Sequence, residues 1–94
     1  MSDNTNDVIF IGKKPLMSYV TSAIIQSSSL NSITIKARGM SIGHAVDVTQ
    51  VLMKRTNVFD VGCVKIGSES LESQDGRTRD VSTIEIPISK KENQ

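Results

Sequence analysis

The sequence predicts an α/β fold, an α+β sandwich in which two helices cover one face of a mixed four-stranded sheet and a long β-hairpin projects from it. Three observations predict it. Ile33, Ile35 and Ala37 alternate with polar residues at the strand period. Apolar residues recur at helical spacing in two segments, Leu16–Ile24 and Ile42–Met53. β-Branched residues dominate positions 58–71 and 78–88, and the stretch between them carries Asp75-Gly76, a strong hairpin-turn signal. The order is β-α-β-α-β-β, in which the strand-helix-strand crossover sets the helices on one sheet face.

The first strand is Val8-Ile9-Phe10-Ile11, a continuous apolar run ended by Gly12, which reads as a strand buried on both faces. Lys13-Lys14-Pro15 then leads into the first helix, whose apolar positions are Leu16, Met17, Tyr19, Val20, Ala23 and Ile24. Proline fits there because its missing N–H would have no partner in the first turn. Ser27-Ser28-Ser29 and Asn31 stop this helix. In the next strand Thr34, Lys36 and Arg38 occupy the polar face, so Lys36 and Arg38 point the same way. Gly39 ends it, Ser41 is the predicted N-cap, and the second helix runs through Ile42, Ala45, Val46, Thr49, Leu52 and Met53 to Lys54-Arg55. The last two strands form one hairpin with arms of about seven residues, projecting on the order of 20 Å. Pro87 cannot donate to a ladder, which predicts an exposed edge or a place near the strand's end for it. Residues 1–7 read as a disordered polar N-terminal tail, 8–90 as the domain and 91–94 as a C-terminal tail.

The chain of 94 residues suffices for one domain. Hydrophobic residues are 37% and aromatics 3%, with no Trp, so the core is thin and built from Ile, Val, Leu, Met and Ala. A chain of this size buries only about 60 to 65% of its unfolded surface, and a second subunit is a natural source of further stability. The single cysteine, Cys63, excludes an intramolecular disulfide and zinc-type spacing, and is expected to be a buried small hydrophobe. No apolar run approaches a membrane span and the first residues are polar and acidic, which predicts a soluble intracellular protein with no membrane partner.

No catalytic, metal or cofactor site is expected. The only histidine, His44, stands with Ser41 and Asp47 at helical spacing, where such neighbours arise routinely, and Asp47, Glu69, Glu72 and Asp75 do not cluster at ligand spacing. Gly12-Lys13-Lys14 lacks the second glycine of a phosphate-binding loop, and Gly39-Met40-Ser41-Ile42-Gly43 lacks the third glycine of a dinucleotide fingerprint.

The charge is segregated instead. The net charge is +1, yet from Val8 to Thr56 the cations Lys13, Lys14, Lys36, Arg38, Lys54 and Arg55 face Asp47 alone. Lys13 and Lys14 stand at a helix N-terminus, where the dipole disfavours cations by about 0.3 to 1 kcal/mol each and free backbone N–H groups await an anion. Parallel strands bring Lys36 and Arg38 to the same sheet edge, which points to a polyanion. Arg77 and Arg79 flank the hairpin tip, a position suited to the narrow minor groove of a duplex, with Asp75 and Asp80 available as ion-pair partners. Phe10, Tyr19 and Phe59 are read as core residues, which argues against a base-stacking platform.

Three ordered segments carry a resemblance: Ile11-Gly12-Lys13-Lys14-Pro15 before an amphipathic helix, Ile35-Lys36-Ala37-Arg38-Gly39 before Ala45-Val46-Asp47, and Val81-Ser82-Thr83-Ile84-Glu85-Ile86. Over about Val8 to Lys90 the chain resembles the Alba family of archaeal chromatin proteins. The resemblance implies the β-α-β-α-β-β fold and a homodimer, or a heterodimer with a paralogue. It also implies a cytoplasmic, nucleoid-associated location on the chromosome. Binding of double-stranded DNA, and also RNA, with little sequence preference follows from it too. It assigns nucleic-acid contacts to Lys13, Lys14, Lys36, Arg38, Arg77 and Arg79, and acetylation to Lys13, which would remove a phosphate contact.

Departures from the family pattern carry expectations of their own. Met40 and His44 replace basic residues, which weakens the central patch, and Thr56 stands where some relatives have a Phe that packs dimers side by side. Two other readings follow from the same residues: an RNA chaperone or ribonucleoprotein subunit, and a scaffold that binds a protein or a small anion.

Overall fold

Alternation at period 2 and period 3.6 resolves into one sheet with two helices on one face. The computed structural model describes residues 7–91; the tails expected at 1–7 and 91–94 lie, apart from Asp7 and Lys91, outside the described residues. Its elements are β1 (Val8–Phe10), α1 (Leu16–Ser27), β2 (Ser32–Arg38), α2 (Ile42–Arg55), β3 (Phe59–Val61), β4 (Lys65–Glu72) and β5 (Thr78–Lys90). β1 and β2 are parallel, β2 and β5 antiparallel, and both β3 and β4 pair antiparallel with the far side of β5.

The core is what the periodicity requires. Ile33, Ile35 and Ala37 of β2 and Ile84, Ile86 and Ile88 of β5 turn one face of the sheet toward the helices, and Val20 and Ala23 of α1 and Ala45, Val48 and Leu52 of α2 close over it. The buried hydroxyls cost nothing unpaired, because Ser27 donates to the Ile24 carbonyl (2.9 Å) and Thr49 to that of Ala45 (2.9 Å).

Several expectations require correction. The sheet has five strands rather than four, because the segment predicted as one long strand breaks at Gly62-Cys63-Val64 into β3 and β4. Pro87 explains the break. It lies near the end of the interior strand β5, opposite Thr34 of β2, so of the two places expected it takes the strand's end and not an exposed edge. Its carbonyl accepts from Gly62 N–H at 2.8 Å, and the N–H and C=O of one strand residue point to the same side, so the donor it lacks is missing where β3 ends. Gly62 fits that spot since a Cβ would stand 3.3 Å from the Pro87 ring. Cys63 lies in this break and is exposed, not buried.

β1 is buried on one face only, with Ile9 and Ile11 inside and Phe10 72% exposed, since among the described residues no element covers the far side of the sheet at this edge. Ser41 makes no capping hydrogen bond; it belongs to a 3-10 turn, Gly39–Ser41, entered through Gly39 at φ 60°. At the other end of α2, Thr56 returns both its N–H (3.1 Å) and its hydroxyl (3.0 Å) to the Leu52 carbonyl. Lys91 is tied by its N–H to the Val58 carbonyl (2.7 Å).

Candidate nucleic-acid interface

Gly12 ends β1, and the following turn carries Lys13 and Lys14 onto the N-terminus of α1, whose first turn holds no acid. Tyr19 organises this turn. Buried one turn into α1, it directs its hydroxyl back to accept the N–H groups of Gly12 (2.8 Å) and Lys14 (3.1 Å). His44 of α2 adds a second tether: its Nε2–H donates to the Lys14 carbonyl at 3.0 Å, and its ring stands edge-on to Tyr19 with centroids 5.6 Å apart. The turn therefore does not offer the free backbone amides expected there, because Tyr19 takes two of them. What it offers is the pair of exposed ammonium groups, neither of which has an ion-pair partner among the described residues. Lys13 and Lys14 line a hollow of about 300 Å³ with Met40, Ser41 and His44. His44 is accordingly a clamp on the lysine turn and not the bystander beside Asp47 that its spacing suggested.

Lys36 and Arg38 stand at the end of β2 on the sheet face away from the helices. Each is already matched. Glu85, directly opposite Lys36 in the β2–β5 register, lies 3.8 Å from its ammonium, and Glu69 of β4 reaches across to the Arg38 guanidinium at 2.9 Å. These pairs are half exposed, where such contacts stabilise by about 0 to 1 kcal/mol, so a phosphate displaces them at small cost. The parallel pairing of β1 and β2 brings all four cations to one end of the sheet, in two groups flanking Ile11, whose N–H bonds the Lys36 carbonyl (2.9 Å). Lys13 and Lys14 are free; Lys36 and Arg38 start out neutralised.

The hairpin leaves the sheet beyond Thr83. From Ser68 to Glu72 and from Thr78 to Ser82 the two strands pair only with each other, a free ribbon of roughly 17 Å, shorter than the arms expected because the first pairs of β4 lie against the sheet. Its tip is built by Asp75 and Gly76. The Asp75 carboxylate accepts from the Ser73 hydroxyl and from Arg77 N–H (3.2 Å), Gly76 takes φ 85°, and Ser73 N–H bonds the Arg77 carbonyl (2.8 Å). Those hydrogen bonds, the one from Ser73 first, hold the Asp75 carboxyl below its ordinary value. Arg77 lies 3.7 Å from Asp75, whereas Asp80 binds the Ser70 hydroxyl (2.8 Å) and leaves Arg79 without an ion pair among the described residues. Opposite Leu71 in register, Arg79 projects from the same face as Glu69, Arg38 and Lys36.

Sequence reasoning missed Tyr19, Glu69, Glu85 and Phe10. The last was legible in principle, since Ile9 and Ile11 facing the core at period 2 send Phe10 outward. Among the described residues no group of three or more His, Cys, Asp and Glu side chains is placed to hold a metal ion, and no helix is long and apolar enough to cross a membrane.

Comparison with known proteins gives a consistent result. The family model for Alba matches residues 7–69. The DNA/RNA-binding protein Alba of Nitrosopumilus maritimus (strain SCM1) is 61% identical over 90 residues, covering 94% of this chain and 95% of that protein. Among solved structures, Alba from Thermoplasma volcanium superimposes with a TM-score of 0.81 at 37% identity, covering 87% of this chain and 98% of that one. ALBA1 from Trypanosoma brucei shares the fold, with a TM-score of 0.73 at 18% identity over 94% of this chain and 72% of that one.

Proposed function

Because the chain belongs to the Alba family, we propose that it is a DNA- and RNA-binding protein that acts as a homodimer, binds duplex DNA with little sequence preference, and organises the chromosome in the cytoplasm. The observation that carries this reading is the pair of unpartnered lysines, Lys13 and Lys14, held by Tyr19 and His44 at a helix N-terminus where stability alone would favour acids. Anionic phosphates complement both the ammonium groups and the positive end of the helix dipole.

Phosphates on either side of the lysine turn displace Glu85 and Glu69 from Lys36 and Arg38, while the ribbon carries Arg79 and Arg77 toward a minor groove. Acetylation of the exposed Lys13 removes one of these charges and weakens binding. Dimer formation is supported by a run of exposed apolar residues in and beside β3 and β4, namely Val58, Val61, Val64 and Ile66, the last 83% exposed on the helix side of the sheet. The same small core that made a second subunit attractive from composition is the one these residues would extend.

The test is replacement of Lys14 or Arg38 by Ala, with affinity for several unrelated DNA duplexes followed by fluorescence anisotropy over a range of salt. Weaker binding to all sequences alike, with a shallower salt dependence by about one phosphate contact per site, is expected. Unchanged affinity and slope would remove those residues from the interface.

A further inference from the structure

Phe10 is out of place as a core residue. The residue is 72% exposed on the sheet face away from the helices, directly opposite Lys36 in the β1–β2 ladder and so roughly 5 Å from that strand. Of the three aromatic residues Phe10 alone is exposed, Tyr19 and Phe59 being buried in the core. It is also not isolated. Phe10, Lys36, Arg38, Glu69, Thr83 and Glu85 line one groove of about 480 Å³, a size suited to a single nucleotide.

The groove holds the three kinds of group that an unpaired nucleotide requires. Phe10 presents a flat apolar face. Lys36 and Arg38 flank it with cations for the backbone phosphate. Glu85 and Glu69 stand beside those cations with carboxylate oxygens, which accept hydrogen bonds from the exocyclic amino groups of bases. The near balance of two cations and two acids fits a base and its one phosphate better than the packed phosphates of a duplex, which the free lysines at Lys13 and Lys14 serve. The site opens on the sheet face away from the helices, whereas Ile66 of β4 faces the helix side, and Phe10 itself stands on β1 at the edge opposite β3 and β4, so a subunit docked on the helix side of those strands leaves Phe10 accessible.

We propose that Phe10, with Lys36, Arg38, Glu69 and Glu85, forms a stacking site for an unpaired base of a single-stranded nucleic acid, RNA loops and ends being where such bases occur. This inference rests on the nucleic-acid-binding reading above and extends it to a second mode of contact. The two modes share Lys36 and Arg38, so duplex and single strand compete for the protein.

The test measures binding of an unstructured cytidine–adenosine repeat RNA and of a random-sequence DNA duplex to the full chain and to Phe10→Ala and Phe10→Tyr, at one low salt concentration. Since Phe10 is exposed, neither substitution disturbs the core. Phe10→Ala is expected to weaken RNA binding about tenfold or more, the usual effect of losing one base stack, while duplex affinity stays within about twofold and Phe10→Tyr binds as the original chain does. Unchanged RNA affinity in Phe10→Ala, or an equal loss toward both ligands, overturns the proposal. Binding of the duplex without the RNA overturns the stacking site alone; binding of neither overturns the DNA-binding reading with it.

Discussion

At Tyr19 a single hydroxyl satisfies two backbone amides of the lysine turn and supports the His44 ring that holds the turn from the other side. The lysines are thereby positioned by a residue that carries no charge. Replacing Tyr19 with Phe leaves both amide donors without their partner and keeps the ring, so the expected loss is about 1 to 3 kcal/mol of stability, read from chemical denaturation. Equal stability would mean that water replaces the hydroxyl without cost. Tyr19 was legible only as an apolar helical position, because helical spacing reports which side of a helix is buried and says nothing of where a phenol's oxygen points. Phe10 shows the opposite failure: a continuous apolar run suggests burial on both faces, yet burial depends on what covers the sheet, and none of the described residues covers this edge.

Among the elements, the hairpin combines the most legible and the least legible features. Asp75-Gly76 marks the turn in the sequence, and the turn is there, with glycine at positive φ and the aspartate closing the loop. The break between β3 and β4 is set by Pro87, some twenty-odd residues away in the chain, and a missing donor on a neighbouring strand leaves no local mark on the segment it interrupts. The turn also has a pH dependence of definite sign. The folded hairpin holds Asp75 below the ordinary carboxylate value of 3.8, so the unfolded turn takes up a proton more readily. The stabilisation is complete above that value and is lost as the pH falls through the depressed one. The amide signals of Gly76 and Arg77 are expected to move toward disordered positions over that acid range in an NMR titration, and to lose this dependence in Asp75→Asn; a titration indistinguishable from an unstructured peptide would contradict the turn's hydrogen bonding.

For the whole molecule, the segregated charge and the small core read from composition correspond to two distinct surfaces: cations at the C-terminal end of the parallel strands and along the ribbon, and exposed apolar residues in and beside β3 and β4. If those apolar residues join two subunits, Ile66→Asp places a carboxylate in the joint and is expected to yield a monomer by sedimentation, with weaker DNA binding because each particle then carries half the cations. A dimer that survives Ile66→Asp would place the joint elsewhere. The charge total of +1 conceals all of this, since the acids that balance it, Glu69 and Glu85 among them, are paired with the cations a phosphate must reclaim. The central claim is electrostatic and is tested most directly by the salt dependence of duplex binding. If a dimer neutralises about six to ten phosphates, log K falls against log of salt concentration with a slope of roughly −5 to −9, and affinity drops about a thousandfold or more between about 50 and 200 mM salt. A slope near zero with affinity retained would contradict the account, because it would assign binding to contacts other than these lysines and arginines.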